Sequence, residues 1–216
     1  MKSKKGVILL VAIVAFSFVF GISGVAKNYF TSNSPSEKEK KSYQAAKKEK
    51  ERLDTKTTYD PKAPINKEEI EKKAENVASM FNMKKTDAEE VIQQSSIEKK
   101  ALYLAAEDMR IIVSDKEVTE EINKIKKSFE SDPEGQKELN AQVAGMGMNE
   151  DEYWEFLRPQ YKSNMIVNKY LQKMYESRCE KEKININTEK FMQKKQEWRN
   201  EIVKDAIKKY NVKVQP

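Results

Sequence analysis

Apolar positions in this chain fall into stripes, densest between Ile97 and Glu182. Ile97, Ala101, Leu104 and Ala105 recur at the spacing of one helical face and run into Ile111-Ile112-Val113. Val118, Ile122, Ile125 and Phe129 form a second stripe, and Ile166, Val167, Tyr170, Leu171 and Met174 a third. Upstream, Ile70, Ala74, Val77 and Phe81 mark one more face, followed by Val91 and Ile92. Downstream, Phe191, Trp198, Ile202, Ala206 and Tyr210 mark the last. The period stays near 3.6 residues throughout, which predicts helices.

The polar residues between the stripes supply the corners. Ser114 and Glu117 are spaced as a capping box, with Val113 and Val118 placed as its hydrophobic staple. Asn149 and Glu152 repeat the device, with Met148 and Tyr153 as staple. Asn66 with Glu69 and Thr86 with Glu89 read as two further boxes. Asp132-Pro133 stops one helix and opens the next, which runs to Gly145. A short helix bearing Tyr153, Trp154, Phe156 and Leu157 is halted or kinked at Pro159. Ile184-Asn185-Ile186-Asn187 is a connector, and Asn211 suits a left-handed C-cap. The expected fold is all-α: a compact domain of six or seven helices over residues 65–216, closed by a helix at 188–210.

Before Ile65 the pattern changes twice. Gly6 to Ala26 is an uninterrupted apolar run behind Lys2, Lys4 and Lys5. As a helix it would span about 31 Å, enough for a bilayer core. Residues 1–28 therefore read as a membrane anchor or a signal peptide. The length of the run favours the anchor, while Gly24-Val25-Ala26 keeps cleavage open. Lysines flank both sides, so the positive-inside count does not orient the segment. A short head and a long following domain fit translocation of that domain, placing it on the extracytoplasmic side. Residues 29–64 are rich in Ser, Thr, Lys and Glu. Residues 36–56 carry eight basic and five acidic side chains, which predicts a solvated, partly helical linker.

Composition narrows the chemistry. There is no histidine among the 216 residues and a single cysteine, Cys179, so an intramolecular disulfide is impossible and zinc sites are effectively excluded. Cys179 falls on a plausible buried face and reads as a packed thiol. The net charge of +6 drops to +3 without the three N-terminal lysines, and the rest is spread evenly, so nucleic acid is not an expected partner. No phosphate loop or nucleophile–base pair is present. Glu89, Glu117 and Glu152 are each explained by capping. No enzyme activity and no cofactor are expected.

The order of motifs resembles the N-terminal chaperone domain of SurA-like proteins, shared with PrsA-like foldases. It is carried by Ile111-Ile112-Val113-Ser114-Asp115-Lys116-Glu117-Val118, by Gly147-Met148-Asn149-Glu150-Asp151-Glu152-Tyr153, and by Arg158-Pro159-Gln160 leading into a long helix. Trp198 to Val214 looks like the closing segment of such domains. Larger relatives insert a parvulin-type prolyl isomerase before that segment; here only Lys183 to Thr188 lie there. The resemblance thus implies holding of unfolded, exported polypeptides without isomerase activity.

Met146, Met148 and Met165 lie close in sequence to Tyr153, Trp154, Phe156 and Tyr161. Flexible thioethers beside amphipathic aromatics suit a surface that accommodates many apolar segments. These seven residues are the candidate peptide-binding set, although the same side chains at helical spacing also suit a core. The rival to a holdase is a membrane-tethered helical adaptor with one dedicated envelope or sporulation partner. Oligomeric state is not readable from the sequence.

Overall fold

The computed structural model describes residues 35–53 and 59–216. The apolar run at 6–26, with its reading as anchor or signal, lies outside them. Among the described residues the chain is helical, with seven helices and one minimal strand pair. They are α1 (Pro35–Leu53), α2 (Lys67–Phe81), α3 (Lys85–Asp108), α4 (Asp115–Glu130), α5 (Pro133–Met146), α6 (Glu150–Glu182) and α7 (Glu189–Tyr210). β1 (Ile65–Asn66) pairs in parallel with β2 (Val214–Gln215), so the two ends of the 65–216 domain meet. None of these described helices is long and apolar enough to cross a membrane.

The two capping boxes of the central region form as expected. The Ser114 hydroxyl accepts the Glu117 amide, and the Glu117 carboxylate accepts the Ser114 amide. Asn149 and Glu152 do the same at the start of α6. Val113, Val118 and Tyr153 are buried and Met148 is half-buried. The other two boxes do not form. Asn66 precedes α2 without a side-chain cap bond, its backbone being engaged with β2. α3 starts one residue before Thr86, whose hydroxyl donates to Asp87 instead.

Pro133 opens α5 at its first turn, and Gly147 closes it in the left-handed region at φ 62°. The end therefore falls at Met146, just past Gly145. Pro159 does not stop α6, which continues to Glu182. Proline costs the helix one amide donor there, and the side chains on either side, Leu157, Gln160 and Tyr161, are all buried. The connector from Lys183 to Thr188 is a turn. Asn211 caps α7 in the left-handed region as expected.

Two apolar clusters result. The larger joins α3 through α7 and holds Phe129, Trp154, Tyr161, Val167, Cys179 and Trp198. The smaller, centred on α2 and the first half of α3, holds Ile65, Ile70, Val77, Met80, Phe81 and Ile92. α7 is tied back to α3 by Arg199 to Glu98 at 2.9 Å and by Lys209 to Asp108 at 2.6 Å.

α1 departs most from expectation. It lies within the stretch read as a solvated linker, yet one of its faces is packed. Lys38, Ser42, Ala45 and Ala46 are buried. Ala45 belongs to the smaller cluster and Ala46 to the larger, so the helix rests across the seam between them.

Candidate functional site

The candidate residues arrive on α5, on the loop after it and on the first five turns of α6. α6 spirals past two different neighbourhoods, and its side chains divide accordingly. Trp154 is 1% exposed. Its ring lies 6.1 Å from Phe129, 6.0 Å edge-on from Tyr153 and 6.3 Å from Tyr161. Its indole donates to the Glu150 carboxylate at 3.0 Å, and the Lys126 ammonium stands 5.8 Å from its centroid. Tyr161 is buried, and burial pushes its phenol pKa upward. Trp154 and Tyr161 are core. Met148 and Met165 are half-buried and packed against the same large cluster.

Met146 and Tyr153, which belong to the large cluster as well, and half-buried Phe156 line a narrow cleft whose enclosed space is about 50 Å³. α1 forms one wall with Ser42, Ala45 and Ala46. α2 contributes Val77, α3 contributes Ile92, and α6 adds Leu157 and Gln160. The lining is mostly apolar with a few polar groups. Of the seven predicted residues, three line this cleft and four do not.

The sequence reading missed two glutamines. Gln142 on α5 is 1% exposed and Gln160 on α6 is 3% exposed, and both line the cleft. The Tyr153 hydroxyl donates to Gln142 Oε1 at 2.9 Å, which leaves the amide end of Gln142 as its free donor. Nε2 of Gln142, Nε2 of Gln160 and Oγ of Ser42 are buried without a hydrogen-bond partner. Buried donors of this kind are uncommon because the desolvation penalty goes uncompensated. A sequence signal did exist: Gln142 falls on the Leu139–Met146 stripe, and Gln160 on the Tyr153–Leu157–Val167 stripe.

Around the cleft the ionisable groups respond to burial. Glu138 on α5 is 5% exposed, and burial raises its pKa to about 7 against the opposing pull of the Lys38 charge on α1. On α3, where Lys99 stands over the Tyr59 ring, burial lowers its amine to about 7, with the Lys73 charge contributing. Cys179 is buried and its thiol is pushed up by desolvation, which makes it an inert packed residue. Among the described residues no group of His, Cys, Asp or Glu is arranged to hold a metal ion.

The described residues thus form a helical body with a mostly apolar cleft between its helices. The SurA-like N-terminal domain family matches residues 1–171, more than half of the chain. The chain belongs to that family, whose domain is a chaperone-type module. No curated protein and no solved structure matches it. The matched span ends inside α6, and α7 completes the core by placing Phe191, Trp198, Ile202 and Ala206 in the large cluster.

Proposed function

We propose that this protein is a holdase: an extracytoplasmic chaperone that binds unfolded, exported polypeptides in the cleft between α1, α5 and α6. Read this way, it has no isomerase activity of its own, which the short connector from Lys183 to Thr188 between α6 and α7 supports. In this reading residues 6–26 anchor it as a single-pass protein with its helical domain outside the cell, or are removed to leave it secreted. The observation that carries the reading is the apolar cleft bearing two buried glutamine amides without partners. Apolar walls take side chains of many shapes, and the amides offer hydrogen bonds to any main chain. Family membership supplies the chaperone context.

The test is suppression of aggregation by the full chain in detergent micelles, with several unrelated, chemically denatured proteins as clients. Suppression at near-stoichiometric amounts, without nucleotide, is the expected result. Indifference to every client would replace the holdase with a tethered adaptor for one dedicated partner, to be sought by crosslinking.

A further inference from the structure

α1 covers the cleft with very little apolar surface. Its buried face is Lys38, Ser42, Ala45 and Ala46, so two methyl groups and a lysine stem do the packing. The approach is nevertheless close. A Cβ added at Gly145 would lie 2.5 Å from the Tyr43 carbonyl oxygen and 2.9 Å from Ala46 Cβ. Backbone meets backbone where α1 crosses α5, and only glycine permits it.

The fit is close in shape and poor in chemistry. Ser42 Oγ and the amides of Gln142 and Gln160 are enclosed there without partners. α1 has little to offer them, because helix-interior carbonyls already accept bonds from their own helix. An unfolded segment carries free carbonyl oxygens at every residue. The seat also buries Lys38 and Glu138, whose opposite charges act on one another there.

We propose that the seat of α1 on α5 and α6 is itself the polypeptide site. An unfolded segment enters by displacing α1, and the amides of Gln142 and Gln160 hold it by its main-chain carbonyls. This rests on the holdase reading and sharpens it, since the site then selects chains for being unfolded rather than for particular side chains.

The experiment uses the full chain in nanodiscs, with reduced and carboxymethylated lactalbumin as the fluorescent probe. Tryptic cutting between Lys38 and Arg52 reports release of α1. Gly145→Ala, which crowds α1 off its seat, is expected to speed that cutting. It should tighten probe binding about tenfold, the change that follows where α1 covers the site nine-tenths of the time. Faster cutting with unchanged affinity would overturn the displacement and leave the holdase standing, whereas no probe binding by either protein would remove both. Dimerisation of the variant in place of tighter binding would assign the seat to α1 of a second copy and overturn the proposal.

Gln160→Leu, made in the Gly145→Ala protein, should weaken the probe about fivefold at equal tryptic cutting. No change there would remove the carbonyl contact.

Discussion

Trp154 sits at the centre of the larger cluster, enclosed by Phe129, Tyr153 and Tyr161. Trp154→Ala would leave a cavity that those rings cannot close, and such truncations cost about 3–5 kcal/mol. Thermal unfolding should show that loss. Phe156, half-buried at the cleft, should lose about half as much on truncation to Ala, with its main effect on client affinity. Glu117 makes a different kind of contribution. It accepts the Ser114 amide and pairs with Lys169 at 2.5 Å, and these bonds lower its pKa to about 2, the Lys169 bond most of all. A carboxylate depressed on folding stabilises above its unfolded pKa, near 4.3, and that stability is lost as pH falls through about 2. Glu117→Gln should therefore melt below the parent protein at pH 7 and converge with it near pH 2.

At the scale of elements, α6 tests how much a helix tolerates. Pro159 lies ten residues into it, deprives the turn of one amide donor, and yet the helix continues to Glu182. A proline in a helix interior costs about 3 kcal/mol relative to alanine, and about 1 kcal/mol of that is returned by its stiffening of the unfolded chain. Pro159→Ala is expected to stabilise by about 2 kcal/mol in denaturant titration, with the slope unchanged. The same helix shows what was legible in the sequence. Its start was, because Asn149 and Glu152 form a local device needing nothing else from the fold. Its continuity was not, because the burial of Leu157, Gln160 and Tyr161 around the proline is tertiary. Asn66 has cap spacing too, but β2 arrives from the far end of the chain to pair with it. α1 was read as spacer because its buried face consists of lysine, serine and alanine, which periodicity analysis scores as no face at all. Its partner, Gly145, carries no side chain to signal the contact. The candidate site divided for a related reason: Trp154 and Tyr153 are adjacent and both in the core, but one step around a helix is about 100°, enough for Tyr153 alone to reach the cleft and Gln142.

The described residues of the molecule form two apolar clusters that meet along α1 and α3. α3 runs through both, Ala45 and Ala46 touch one each, and Val212 packs against both. Val212 stands between the C-cap of α7 and β2, so it also positions the strand pair that closes over Ile65. Cooperative units open at free energies set by the contacts that bind them to the rest. α1, whose buried face is the least apolar, and the smaller cluster should open before the larger one. Amide hydrogen exchange should then rank α1 fastest, α2 and the first half of α3 next, and α4 with α6 slowest. Val212→Asp places a charge where both clusters meet and should accelerate exchange in α2 and the start of α3 selectively. If α6 sped up equally, the two clusters would be one cooperative unit and the seam would have no energetic meaning. Selective acceleration would instead show that the cleft lies along the boundary where the molecule is easiest to part, the place where an incoming chain displaces the least structure.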